Sequence, residues 1–219
     1  MPAFPDSPIS PKQFMEEFVP AAMAESGVAD GASDLDVKLG VQIEGDGGGE
    51  WVIHIRPGDL RVEEGSRAET PFTLVQTVDD WRGALWEGRG GVFGKQAADL
   101  FRGGADGGKE GDQAPAPGAA APNAAALEQL GNLDGLIRIV VQGGEGGDWA
   151  TGFKLGAGPI PEEPKTELVL SAEDAEAMQN GTLDPMAAFM GGKIQIRGDM
   201  ALMMQMQAIT MAAASGALG

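Results

Sequence analysis

The chain has 219 residues, 42% hydrophobic and 22% charged, a formal net charge of −18 and no cysteine. That is enough apolar material for one large domain or two small ones. The charge excludes nucleic acid and anionic membranes as partners, and the missing thiols exclude disulfides, thiolate metal sites and cysteine nucleophiles. The opening Met1-Pro-Ala-Phe-Pro-Asp-Ser-Pro has neither the basic head nor the apolar core of a secretory signal. No apolar run has the length of a membrane span, so a cytoplasmic location without a stable membrane anchor is expected.

Ser10-Pro-Lys-Gln13 is a helix start, with Ser10 as cap and Pro11 at the first position. Phe14, Phe18 and Val19 form one stripe, and the helix is expected to fade near Pro20 or Gly27. Val37, Leu39, Val41 and Ile43 alternate with polar residues or glycine, the pattern of a strand with one wet face. The glycine-rich stretch 45–49 turns the chain, and Trp51, Ile53 and Ile55 mark a second strand. Leu60 and Val62 suggest a short third, Phe72-Thr-Leu-Val-Gln76 a fourth, and Thr77-Val-Asp-Asp80 caps a helix carrying Trp81, Leu85 and Trp86.

Residues 103–122 hold almost only Gly, Ala, Pro and charged or amide residues and read as a flexible linker or loop. Beyond them the pattern recurs. Ile137, Ile139 and Val141 alternate, glycines at 143–147 make a turn, Trp149 opens the next strand, and Leu168 and Leu170 precede the cap Ser171-Ala-Glu-Asp174. A tandem duplication accounts for this: a first half, 1–102, joined by 103–122 to a second half, 123–219. Only the second half has a closing segment. Asp184-Pro185 starts a helix, Gly191-Gly192 ends it, Lys193-Ile-Gln-Ile-Arg197 alternates as a strand, and Asp199 caps a helix rich in methionine.

The run Thr166-Glu-Leu-Val-Leu-Ser-Ala-Glu-Asp174, followed by Asn180-Gly-Thr-Leu-Asp-Pro-Met-Ala-Ala-Phe-Met-Gly-Gly-Lys-Ile-Gln-Ile-Arg-Gly-Asp-Met-Ala-Leu-Met-Met204, resembles the sterol-carrier-protein type-two domain family. The resemblance implies an α+β fold: two sterol-carrier-like halves, each a mainly antiparallel curved sheet covered by helices. It also implies a hydrophobic tunnel between sheet and C-terminal helix that takes a sterol, a fatty acid or a fatty acyl-CoA.

The residues of the last helix agree with an apolar site. Eight of the 11 methionines lie at or after Met178, and methionine suits irregular apolar shapes. Alternation puts Ile194 and Ile196 on one strand face, and helical spacing puts Leu202, Met206 and Ile209 on one helix face. With Phe189, Met200 and Met203 these are the expected ligand-binding residues, and Gln205 or Gln207 could meet the polar end of a lipid. A helix apolar nearly all round is expected to be covered on every side.

Catalysis has little support. The single histidine, His54, stands on the outward phase of a strand with no catalytic companion in the sequence. Arg89 and Gln96 break the phosphate-loop pattern around Gly94-Lys95. The expected function is therefore non-catalytic lipid binding or lipid transport, without metal or cofactor. The alternative is a structural or dimerisation module that has lost its cavity and pairs as a homodimer.

Overall fold

The computed structural model describes residues 3–26, 36–65, 69–102 and 124–214. The expected linker, 103–122, lies outside them.

Caps and alternation become elements as expected. Ser10 Oγ accepts from the Gln13 N–H and starts α1 (Pro11–Gln13), which runs through a π-helical turn (Phe14–Phe18) into α2 (Val19–Ser26). The helix therefore passes Pro20 and persists to Ser26. A proline inside a helix removes one bond and crowds the carbonyl a turn before it, and the wider π turn just ahead of Pro20 accommodates both. Four strands and two helices follow: β1 (Val37–Glu44), β2 (Gly49–Arg56), β3 (Asp59–Glu64), β4 (Phe72–Thr77), α3 (Val78–Trp86) and α4 (Gly91–Arg102). The second half contributes α5 (Ala124–Gly131), β5 (Gly135–Gly144), β6 (Gly147–Leu155), β7 (Thr166–Ser171), α6 (Ala172–Gln179), α7 (Pro185–Met190), β8 (Gln195–Gly198) and α8 (Met200–Ala214).

The architecture is α+β, and the eight strands of the described residues form one continuous sheet in the order β3-β2-β1-β4-β6-β5-β7-β8. Each half contributes four neighbouring strands. β1 pairs antiparallel with β2 and parallel with β4; β5 pairs antiparallel with β6 and parallel with β7. The outer edge of β7 is taken by the antiparallel β8, while the matching edge of β4 is taken by the antiparallel β6. Among the described residues the first half thus has no closing strand of its own, and the second half supplies one. Conversely, β2 carries β3 on its outer edge, where β6 carries β4. Each half covers an edge that would otherwise present unpaired backbone N–H and C=O groups.

The strand faces follow the alternation. Val41, Trp51, Leu74, Phe153, Ile137, Leu168 and Ile196 share the helix-covered face by register. Two apolar clusters form there. One gathers Phe14, Phe18, Trp51 and Trp81; the other gathers Ile137, Trp149, Leu168 and the inner side of α8. Three of the four tryptophans are buried, and the indole N–H groups of Trp51, Trp86 and Trp149 donate to Glu16, the Pro5 carbonyl and the Asp80 carbonyl. They are core anchors with satisfied polar ends.

Candidate functional site

The expected apolar site is built by α7, β8 and α8. Asp184 Oδ1 accepts the Ala187 N–H at 2.9 Å and starts α7 with Pro185 at its first position. Gly191 and Gly192 end it, and the Lys193 N–H donates back to the Ala188 carbonyl. Lys193 then reaches sideways, and its ammonium donates to Asp174 at the N-terminus of α6. Asp174 is also held by the reciprocal cap with Ser171, 2.8 Å through the hydroxyl and 3.1 Å through the backbone N–H. This clamp ties the α7–β8 segment to the N-terminus of α6.

β8 lies antiparallel on β7 with Ile196 opposite Leu168. At its end Gly198 has φ +91°, and a Cβ there would stand 2.3 Å from the Lys165 carbonyl oxygen, so only glycine fits. The Asp199 N–H donates to that same carbonyl at 2.9 Å, and Asp199 Oδ1 caps α8 by accepting from Ala201 and Leu202. Thr166 Oγ1 closes the corner by donating to the Asp199 carbonyl at 2.7 Å. The start of α8 is fixed at three points before any side chain packs.

α8 turns Leu202, Met203 and Met206 inward, where they join the core with Leu130, Leu155 and Leu168. Ile194, Ile196 and Ile209 pack on the margin of that cluster, partly buried. Six of the eight expected residues therefore meet between the final strand, the final helix and the sheet. Phe189 and Met200 do not: they are 42% and 52% exposed. Met204 is also exposed, so α8 is covered on one side and open on the other, against the expectation of cover all round. Gln205 is exposed, and the side chain of Gln207 lies outside the described set. Two clefts, of about 480 and 330 Å³, open elsewhere on the molecule, and none of the eight residues lines either.

His54 has a partner that the sequence did not reveal. Its Nε2 lies 2.7 Å from Asp36 Oδ1 at the sheet surface, and this contact, with Arg56 nearby, holds the Asp36 carboxyl below the usual carboxylate range. The two are eighteen positions apart; only the β1–β2 pairing brings them together. Among the described residues no group of three or more His, Asp or Glu side chains could hold a metal ion, and no helix is long and apolar enough to cross a membrane.

The Lys193–Asp174 clamp gives a pH prediction. The hydrogen bond from Lys193, helped by the Ser171 hydroxyl, holds the Asp174 carboxyl below its ordinary range, and the same bond raises the Lys193 ammonium above its own. A lowered carboxylate stabilises the fold above about pH 4, and that contribution disappears as pH falls through the lowered value. A raised ammonium stabilises it below about pH 10, and the contribution disappears as pH rises through the raised value. Methyl NMR shifts of Ile194 and Ile196 are expected to stay constant between these limits and to move outside them. In Lys193→Met the alkaline step should vanish; an alkaline step of unchanged size in that variant would show the clamp does not hold β8.

The chain thus closes a helix-covered sheet with a capped, methionine-rich C-terminal helix. Residues 118–211 match the SCP-2 sterol transfer family. Among curated proteins, the chain is 33% identical over 87 residues to hydroxysteroid dehydrogenase-like protein 2 of Xenopus tropicalis, a match covering 37% of this chain and 21% of that one. The chain thus spans about a fifth of that relative's length. Among solved structures, the sterol carrier protein domain 2 of Helicoverpa armigera shares 28% identity, covering 41% of this chain and 74% of its own, with a TM-score of 0.28. Apo sterol carrier protein 2 of Yarrowia lipolytica shares 16%, covering 41% and 76%, with a TM-score of 0.29.

Proposed function

We propose that this chain is a non-catalytic, cytoplasmic lipid-binding or lipid-transfer protein built from two sterol-carrier-like halves, 1–102 and 123–219, that arose by tandem duplication. The observation that carries the function is the match of residues 118–211 to a sterol transfer family on the very segment where α8 buries its methionines. The equal pairing senses of β1, β2, β4 and β5, β6, β7 support the duplication.

The ligand is a sterol, fatty acid or fatty acyl-CoA, and it enters between α8 and the face carrying Leu168 and Ile196. Leu202, Met203 and Met206 are displaced toward it, which flexible methionine side chains permit at small cost. Each methylene buried contributes roughly 0.8 kcal/mol, so a chain of ordinary length reaches micromolar affinity without strong polar contacts. Because the N-terminus of α8 is pinned by Asp199, the helix opens from its C-terminal end.

Met206→Trp tests this. The larger ring occupies the space a lipid would need, so uptake of a fluorescent fatty acid is expected to fall while the fold stands. If the parent takes up no fatty acid and the variant loses about 1–3 kcal/mol, the site is solid core and the lipid reading fails.

A second reading has its own observation. The exposed large apolar residues of the described chain, Met186, Phe189, Met190, Met200 and Met204, all lie on α7 and α8. That concentration favours a dimerisation module with this face at the interface. Native mass spectrometry separates the two: co-purified lipid on a monomer supports lipid binding, and a lipid-free dimer supports the module.

A further inference from the structure

The sheet face opposite the helices carries a cleft that exists only because the two halves share one sheet. Register places Gln42 of β1, Val75 of β4, Gly152 of β6 and Arg138 of β5 in a single row across four strands. Gly152 leaves the middle of that row without a side chain. A Cβ there would stand 3.2 Å from Leu136 Cδ1 and 3.3 Å from Val75 Cβ, so these two side chains close in over the glycine. The result is a cleft of about 330 Å³ lined by Val75, Leu136 and Arg138, and by Ile160 and its flanking prolines from the β6–β7 connection.

That connection is held by a buried cation. The Lys154 ammonium donates to the carbonyls of Leu155, Gly156 and Ala157 at 2.7 to 3.3 Å and to Asp134 at 3.2 Å. Lys154 is therefore satisfied by the fold. Arg138 is not: it is half-buried and makes no hydrogen bond or ion pair among the described residues, while its row neighbour Glu167 is paired with Arg197. An arginine fork free beside apolar walls is suited to a carboxylate or phosphate. The cleft's other charged residues, Glu44 and Glu162, are both acidic and exposed. With a net charge of −18, the chain repels a ligand that carries only negative charge.

We propose that this cleft is a second binding site, distinct from the apolar site at α8, for a small zwitterion. Its anionic group pairs with Arg138, its cationic group faces Glu44 and Glu162, and its apolar part lies on Leu136, Val75 and Ile160. Two sources share this chemistry: a phosphocholine headgroup and a free apolar amino acid such as leucine.

The test titrates the full-length protein with phosphocholine, L-leucine, inorganic phosphate and choline, following the backbone amides of Arg138 and Gly152 by NMR. Saturable shifts with phosphocholine identify a headgroup site, and shifts with leucine an amino-acid site; either supports the proposal when phosphate and choline alone bind at least about tenfold more weakly. Arg138→Gln should weaken binding about tenfold or more. Glu162 is exposed on the connection, so Glu162→Lys keeps the fold even if the arginine variant does not, and it should abolish zwitterion binding. The proposal is overturned if neither zwitterion binds, if phosphate binds as tightly as phosphocholine, or if Glu162→Lys leaves binding unchanged.

Discussion

Trp149→Ala is expected to cost about 3–5 kcal/mol, the largest loss from any single truncation on the seam between the halves. Trp149 is buried on the helix-covered face of β6, the strand that closes the first half. Its indole N–H donates to the Asp80 carbonyl at 2.8 Å, and the next residue, Ala150, donates its backbone N–H to Asp80 Oδ1 at 3.1 Å. Asp80 is itself oriented by the reciprocal cap with Thr77. The turn between α3 and α4 sits directly on the ring, close enough that a Cβ on Gly90 would stand 2.7 Å from it. Removing the indole thus leaves a large cavity, takes one hydrogen bond from the Asp80 carbonyl and loosens the β4–β6 joint together. Urea unfolding measures this. The parent should unfold in one transition because the sheet is continuous, and the variant's midpoint should fall with an unchanged slope. Trp86→Ala, at a half-buried ring with one hydrogen bond to the Pro5 carbonyl, should cost less. Two separated transitions in the parent, or equal costs for the two variants, would show that the seam does not couple the halves.

Gly198→Ala should be the most damaging small substitution in the proposed apolar site. Alanine resists a φ of +91°, which alone costs about 1 kcal/mol or more. Its methyl would also meet the Lys165 carbonyl at 2.3 Å, and that carbonyl cannot retreat because it accepts the Asp199 N–H. The β7–β8 pairing and the α8 cap are strained together, so loss of fatty acid uptake and a lower melting temperature are expected at once. Gly192→Ala is the control. Its φ is +72°, but nothing stands within 4 Å of the added methyl, so only the backbone cost applies. Equal melting temperatures for the two variants would mean that the Lys165 contact is not what requires glycine at position 198.

Local physics carried much of the reading. Each helix cap expected at Ser10, Thr77, Ser171 and Asp184 forms, because a cap needs only a side-chain oxygen and a backbone N–H three residues on. Most strands fall where alternation placed them, since burying one sheet face imposes a period of two; the last is the exception, starting at Gln195 rather than Lys193 and running through Gly198, because the turn that ends α7 still holds Lys193 and Ile194 against the Ala188 carbonyl. Near Pro20 the local rule had two outcomes, and the π turn decided for continuation.

The tertiary structure decided what alternation leaves open. Which edge pairs with which depends on the edges left free, so the β4–β6 joint, and with it the single sheet, could not be read from either strand alone. The phase of α8 was legible only in part. Helical spacing set Leu202, Met206 and Ile209 on one face, and they pack there; but a helix apolar on most sides does not show how far its inner face extends, and packing against Leu130, Leu155 and Leu168 left Met200 and Met204 in solvent. The unpaired Arg138 belongs to the same class of fact. An arginine in an alternating strand is ordinary by sequence, and only the row Gln42, Val75, Gly152, assembled from three other strands, gives it a cleft and no partner.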